Sequence, residues 1–321
     1  MLSLFLGSGA SWWGHTHMMI GRIAESMLTS KEKKKIEAIL RYGQHPIQTI
    51  TEATTWQDDL KETYNLAIMG NWHFSDGPIT PNENDTFTIP PPTYNITSYM
   101  DSAYRALTDK TTTDPWVWAF HLRSLIHFVA DVHTPHHNVA LFTSEFKNGD
   151  YGGNLYKLNC NLGSACNNIH FLWDSAGFNF PIYNPLIPKY RDEFQKNATK
   201  LINELPQSHY TSKNMDVKSF NPEGWHKESY NVAFEYGYKT PQYAWPSADY
   251  FKTVQTQSKE RIAISGYRLG YFLKQVVGNI PVEASSNTRE IVIWIVDAIL
   301  VVLALIFVIL AKKKDVKYAL L

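Results

Sequence analysis

Apolar residues recur at steps of three and four positions in several stretches of this chain, a pattern that predicts amphipathic α-helices. The pattern is clearest over residues 13–27 and 122–129, and it returns over 190–205 and 249–277. Residues 12–279 contain neither an internal repeat nor a boundary between two domains. The sequence therefore predicts one mainly helical, all-α unit.

Two stretches interrupt the helical pattern. Residues 71–95 contain five prolines together with glycine and asparagine, and residues 146–163 are rich in glycine, asparagine and aspartate. These residue types favour turns, so both stretches are predicted to be long irregular loops.

A continuous apolar segment occupies residues 291–311 and carries a single charge, at Asp297. As a helix it would be about 31 Å long, which matches the hydrocarbon core of a bilayer. The segment predicts a transmembrane helix, with residues 280–290 as a linker and the lysine-rich residues 312–321 as a cytoplasmic tail; a buried core helix is the alternative. A charge in mid-membrane needs a partner, which makes Asp297 a candidate contact in a homo-oligomer.

The start of the chain fits the same orientation. Residues 1–11 are apolar and end in Gly9, Ala10 and Ser11, the small residues that a signal peptidase accepts. Cleavage after Ser11 would leave Trp12 as the mature N-terminus. The prediction is a single-pass type I membrane protein whose bulk is extracellular or lumenal.

That compartment permits two covalent modifications. Cys160 and Cys166 are six positions apart and can close a small disulfide loop, with two free thiols as the alternative. Sequons at Asn84, Asn95 and Asn197 can accept glycans.

Charge alone points to no partner. Lys and Arg number thirty and Asp and Glu number thirty, so the chain has neither a basic footprint for a polyanion nor an acidic one for a cation.

The twelve histidines carry the candidate chemistry. His127 and Asp131 stand four positions apart within a predicted helix, and His170 and Asp174 repeat this spacing. Residues four apart share a helical face, where an imidazole and a carboxylate can bind one metal ion. A surface hydrogen bond or a satisfied core histidine explains a single pair equally well. Two pairs among apolar neighbours favour a metal site, because a divalent cation compensates a buried carboxylate.

Together these motifs resemble the zinc-dependent class I nucleases, which include fungal single-strand nucleases, plant bifunctional nucleases and membrane-anchored 3′-nucleotidase/nucleases of protozoa. The likeness covers about residues 12–278. It rests on the order of W-x-D, W-H-F-x-D, H-F-x-x-D-x-x-x-P-x-H, G-G-N and H-x-x-W-D along the chain. It implies a helical fold with a cleft that holds three Zn²⁺ ions.

The resemblance also implies which residues bind each zinc. His137 is preferred to His136, because the motif has one residue between the proline and the histidine; His15, His133 and His136 are left as residues behind the ligands or at the surface. In the family the free amino group of the N-terminal tryptophan is a ligand. The implied sets are Asp58, His73, His127 and Asp131 for one zinc, Trp12, His17 and the bridging Asp131 for a second, and His137, His170 and Asp174 for a third.

The implied reaction is hydrolysis of single-stranded RNA and DNA to 5′-nucleotides, with 3′-nucleotidase activity, by a metal-bridged hydroxide that attacks phosphorus. Besides Asp58, the resemblance assigns a catalytic role to Lys61, for which a surface lysine paired with Asp58 or Glu62 is an equal alternative. Phe74 is expected to stack on a base, and Asp76 and Asn154 to bind its edge. The alternatives are a zinc-dependent phospholipase C, and a non-catalytic adhesin or receptor that zinc stabilises.

Overall fold

The computed structural model describes residues 12–43, 47, 49–62, 64–81, 94–109, 112–160, 166–181, 191–281, 293–304 and 306. The chain divides into two units, Met1–Ile280 and Pro281–Leu321. In the first unit the described α-helices are α1 (Gly14–Ser26), α2 (Ser30–Leu40), α3 (Ile50–Ala53), α4 (Trp56–Glu62), α5 (Ile96–Thr108), α6 (Pro115–Asp131), α7 (Ile169–Asp174), α8 (Arg191–Glu204), α9 (Gln207–Ser212), α10 (Pro222–Val232) and α11 (Ala248–Val276).

The helices begin where their sequences provide caps. Asp114 accepts the backbone N–H of Trp116 at the start of α6, and a proline at the first turn fits there because that turn needs no N–H donor. Asn168 caps α7 in the same way through the N–H of Phe171. These caps fix the two helices that carry the His-x-x-x-Asp pairs.

Helix α6 forms the centre of the unit. It packs against α5 on one side, contacts α2, α4 and α11, and is buried almost throughout its second half. Helix α1 lies across α11 and also contacts α3 and α8. The ends of α1 and α6 thereby meet deep in the molecule.

A short parallel pair of strands connects two loops. Strand β1 (Gly77–Ile79) pairs with β2 (Val139–Leu141), with Gly77 opposite Val139. The prediction of an irregular loop over 71–95 is wrong at β1, since three residues are too few to give a periodic signal. Residues 82–93 lie outside the described part of the chain.

An ionic network with two buried arginines and a partly exposed glutamate joins α10 to α11. Glu228 of α10 receives Nη1 of Arg268 at 2.7 Å and Nη1 of Arg261 at 2.9 Å. Arg268 Nη1 also lies 2.9 Å from His133 Nε2, so His133 accepts a hydrogen bond from a guanidinium. Arg261 and Arg268 are almost fully buried, and Glu228 supplies the charge that compensates them.

The second unit is described only at residues 281, 293–304 and 306, of which 293–304 are helical. Among the residues that the structure describes, no helix is both long enough and apolar enough to cross a membrane. The predicted span 291–311 extends beyond those residues at both ends. The predicted leader 1–11, most of the linker and the tail 312–321 also lie outside them.

Candidate metal centre

Four side chains converge at the C-terminal end of α6, and we call them cluster A. His127 Nε2 lies 3.0 Å from Asp131 Oδ2, one helical turn along α6. His73 ends a 3-10 helix and places Nδ1 2.9 Å from the same oxygen. Asp58 of α4 brings Oδ1 to 3.6 Å from His73 Nδ1 and 3.8 Å from His127 Nε2.

The N-terminal residues lie against cluster A. His17 Nε2 is 3.3 Å from Asp131 Oδ1, and its ring stacks on that of His127 at 4.5 Å between centroids. The side chain of Trp12 is fully buried just before α1. His17 also forms a possible metal-binding group with Asp58 and His127, whereas the sequence grouped it with Trp12 and Asp131.

A second group, cluster C, lies on α7 and the 3-10 helix Pro135–Asn138. His170 Nε2 is 3.2 Å from Asp174 Oδ2, and His137 Nε2 is 3.8 Å from Asp174 Oδ1. The two imidazole rings stack at 5.1 Å. The backbone N–H of Trp13 donates to the carbonyl of Asp174 at 3.3 Å, so the start of the described chain lies between the two clusters.

The imidazole rings are oriented by backbone carbonyl groups. Nδ1 lies 2.7 Å from the Thr54 carbonyl oxygen in His127 and 2.8 Å from the Gly152 carbonyl oxygen in His170. In His137 it lies 2.8 Å from the carbonyl oxygen of His73. A proton on Nδ1 leaves the Nε2 lone pair facing the carboxylates, which is the tautomer that a metal ligand needs.

Cluster C fits a zinc ion. Nε2 of His137, Nε2 of His170 and both carboxylate oxygens of Asp174 are buried and make no hydrogen bond within the described residues. Polar atoms left unpaired in a protein interior are costly. Two imidazole nitrogens and a carboxylate in close reach are a set that zinc accepts, with a position left for a further ligand.

Burial shifts the pKa values of these groups in opposite directions. Burial lowers the pKa of His73 and of His137 to about 4, which keeps both rings neutral at pH 7. Burial acts the same way on His127 and His170, but their aspartates outweigh it and raise both pKa values. Burial raises the pKa of Asp174 to about 6.

Lys61 is not a surface lysine. Its side chain is only 8% exposed, and its ammonium group donates to Asp58 Oδ1 at 3.0 Å. Burial favours the neutral form of Asp58, but Lys61, His127 and His73 outweigh it and lower the pKa of this carboxyl. Asp58 is therefore an anion that faces both an ammonium group and two imidazoles.

The predicted base-binding residues lie on two segments whose backbone carbonyls contact cluster C, at His73 and at Gly152. Phe74 is half-buried directly after His73. Desolvation and the nearby Asp150 raise the pKa of Asp76 to about 6, while His170 opposes them. Asn154 donates from Nδ2 to the Tyr151 carbonyl at 2.8 Å, and Tyr151 is itself 58% exposed.

The three histidines that were left over are all buried, so the surface alternative is wrong for them. His136 Nδ1 lies 2.9 Å from the Gly152 carbonyl oxygen, which His170 also contacts. His15 Nε2 lies 3.1 Å from Asn197 Nδ2 on α8. None of the three belongs to cluster A or cluster C, and His136 shares the Gly152 carbonyl with His170.

The two cysteines form the predicted disulfide, with Cα atoms 5.5 Å apart. Of the three sequons, Asn84 lies outside the described residues. Asn95 and Asn197 each place their side-chain amide nitrogen against another side chain, Ser75 Oγ and His15 Nε2 respectively.

A mainly helical unit with buried His/Asp clusters that could hold metal defines the class: a helical protein with a candidate multinuclear metal centre. The family model of the S1/P1 nucleases matches residues 12–278. The chain belongs to this family, whose members are hydrolases that cleave ester bonds in nucleic acids and in general depend on zinc. The search of curated proteins gave no match.

Proposed function

We propose that this protein is a zinc-dependent phosphodiesterase that hydrolyses single-stranded RNA and DNA to 5′-nucleotides and also removes 3′-phosphates. The observation that carries the proposal is the convergence of clusters A and C, in which buried nitrogen and oxygen atoms of cluster C lack hydrogen-bond partners within the described residues. A set of this kind leaves room for water and substrate, unlike a closed structural zinc site.

The residues that would hold zinc fall into three sets. Cluster A and cluster C would each hold one ion, and His17 with Asp131 and the amino group of Trp12 would hold a third. When bound, zinc lowers the pKa of water and offsets phosphate charge. His127, His137 and His170 would bind the ions through Nε2, because their Nδ1 atoms are held by backbone carbonyls.

Other side chains would bind the substrate. Lys61 places an ammonium group beside Asp58, where it would offset negative charge on the phosphoryl group. Phe74 would stack on a base, which requires that the base be unpaired and so favours single strands. Asp76 and Asn154 would accept and donate hydrogen bonds at the base edge.

The test is hydrolysis by the purified protein of single-stranded DNA, duplex DNA, adenosine 3′-monophosphate and phosphatidylcholine. We expect 5′-nucleotides from the single strand, adenosine from the monophosphate, and slow cleavage of the duplex. The Asp131→Asn variant should lose all these activities together with zinc, while Glu235→Gln on the π-helix Ala233–Gly237 serves as the matched control. Release of phosphocholine alone would establish the phospholipase; zinc binding without any hydrolysis would establish the adhesin or receptor.

We further propose that the chain is a type I membrane protein whose leader is removed before Trp12. The support is the apolar sequence of residues 291–311, the lysines that follow, and the disulfide between Cys160 and Cys166. Fractionation of expressing cells should place the protein in membranes, with the N-terminal sequence Trp-Trp-Gly-His. A soluble protein that retains residues 1–11 would contradict this.

A further inference from the structure

The backbone of residues 73–77 joins the two clusters. The carbonyl of His73 accepts Nδ1 of His137 at 2.8 Å, and the N–H of Ser75 donates to the carbonyl of His137 at 2.7 Å. One short segment thus orients an imidazole of cluster C while it carries His73 of cluster A. It also carries Phe74 and Asp76, the two residues on this segment that are proposed to bind the base.

The start of α5 holds this segment from the other side. Asn95 Nδ2 donates to Ser75 Oγ at 3.0 Å, and the N–H of Ile96 donates to the Phe74 carbonyl at 3.2 Å. One turn further along α5, Tyr99 stacks on Trp72 with centroids 4.4 Å apart. The segment is therefore clamped between α5 and the 3-10 helix that carries His137.

Asn95 has two separate roles in this arrangement. Its Oδ1 caps α5 by accepting the N–H of Ser98 at 3.1 Å, which is an ordinary helix cap. Its Nδ2 reaches outward to Ser75, which a cap does not require. A serine at position 95 would keep the cap and lose the hydrogen bond to Ser75 Oγ.

We propose that Asn95 is a positioning residue for base recognition: its Nδ2 holds Ser75, and thereby holds Phe74 and Asp76 in the orientation that binds a nucleobase. This inference rests on the proposed nuclease function. It assigns to the unmodified amide a role distinct from the sequon in which Asn95 lies.

The first experiment needs neither metal nor activity. Hydrogen exchange in the metal-free protein is compared between Asn95→Ser and Thr97→Ala, which both remove the sequon. Thr97→Ala loses the hydrogen bond from Thr97 Oγ1 to Asn95 Oδ1 but keeps the Asn95 Nδ2 group that donates to Ser75. We expect peptides covering residues 73–77 to exchange about fivefold faster in Asn95→Ser, the effect of one lost hydrogen bond. Exchange in the rest of α5 should stay the same, because serine caps as well as asparagine.

Ser75→Ala removes the same bond from its other end and should raise exchange in residues 73–77 by a similar factor. The double variant Asn95→Ser/Ser75→Ala should then add little to either single change. Exchange in residues 73–77 that equals the Thr97→Ala control overturns the proposal. So does an equal increase throughout α5, since that would be the loss of a cap.

The second experiment uses the zinc-loaded protein and two substrates. For a dinucleotide, Asn95→Ser should raise KM about fivefold with little change in kcat, because the base contact is weakened. For bis(p-nitrophenyl) phosphate, which has no nucleobase, KM and kcat should match those of Thr97→Ala. An equal loss on both substrates overturns the proposal. If no variant or wild-type protein hydrolyses either substrate, the proposed function fails, while the exchange experiment still decides whether Asn95 holds the segment.

Discussion

Nδ1 of His137 lies 2.8 Å from the backbone carbonyl oxygen of His73, so a residue of cluster A fixes the orientation of a residue of cluster C. The Gly152 carbonyl has a similar role for His170. Groups behind metal ligands set the tautomer and the direction of the ligating nitrogen. The metal centre therefore depends on backbone geometry as much as on the eight side chains assigned to it.

Gly152→Ala should weaken zinc binding without touching a ligand. Gly152 has φ +64°, and a Cβ there would lie 2.3 Å from the His136 carbonyl oxygen, so the loop must move and its carbonyl would leave His170. We expect zinc affinity at cluster C to fall about 10- to 100-fold, as measured by competition with a chromogenic chelator.

Gly43→Ala is the matched control for that change. Gly43 also has positive φ, +75°, but a Cβ there meets nothing within 4 Å among the described residues. It should cost about 1 kcal/mol of unfolding free energy through backbone strain and leave zinc affinity unchanged. Equal zinc affinities in the two variants would show that the Gly152 carbonyl does not orient His170.

Phe74→Ala should weaken the binding of substrates that carry a base. Stacking on an aromatic ring contributes about 1–3 kcal/mol per base, so KM for a dinucleotide should rise at least fivefold. Trp116→Ala on α6, where the indole is 60% exposed, is the control and should leave KM unchanged. Equal KM values in wild type and Phe74→Ala would remove Phe74 from the site.

The sequence predicted several of the long helices and the two His-x-x-x-Asp pairs, whereas the ligand sets for three zinc ions came from the family resemblance and stay a prediction. Helices α6, α8 and α11 were found because their apolar period extends over several turns, and the His-x-x-x-Asp pairs were found because both partners lie on one helix. The sequence could not predict that a carbonyl in one cluster orients a ring of the other. This contact joins positions 73 and 137, and a backbone carbonyl can accept a hydrogen bond whichever residue type occupies the position.

The same limit explains the three histidines that were left over. His133, His136 and His15 have no motif spacing, so the sequence did not separate a surface position from a buried one. Their partners are a guanidinium, a glycine carbonyl and an asparagine amide on distant segments. Only the tertiary packing brings these groups together.

The imidazoles of the metal-free protein should titrate in two groups. The aspartates raise the pKa values of His127 and His170, whereas burial lowers those of His73 and His137 to about 4. The first pair stabilises the fold below pH 6.5, and this contribution is lost as pH rises through the raised pKa values. The second pair takes up protons at a higher pH in the unfolded chain than in the folded protein. The free energy of unfolding therefore falls as pH drops from 6.5 to about 4.

An NMR titration of the histidine ring protons checks this assignment. We expect two rings to titrate above pH 6.5 and two near pH 4, and Asp131→Asn to lower the pKa of His127 with less effect on His170. Zinc must displace the protons of the first pair, so zinc affinity should fall as pH drops below those pKa values. Four rings that titrate together near pH 6.5 would contradict the arrangement.

Glu228→Gln should destabilise the fold away from the metal centre. Burial opposes ionisation of Glu228, but Arg268 and Arg261 outweigh it and lower its pKa below 4.5. The contribution of this carboxylate is therefore complete above pH 4.5 and is lost as pH falls through the lowered pKa. At pH 7 the variant leaves two buried guanidinium groups poorly compensated, and we expect a loss of about 2–3 kcal/mol of unfolding free energy.

The control is Glu204→Gln, which removes the exposed pair with Lys259 at 3.0 Å and should cost less than about 1 kcal/mol of unfolding free energy. Urea unfolding at pH 7 and pH 4 measures both effects. The difference in unfolding free energy between wild type and Glu228→Gln should be smaller at pH 4 than at pH 7. A larger difference at pH 4 would mean that the carboxylate is not ionised in the folded protein.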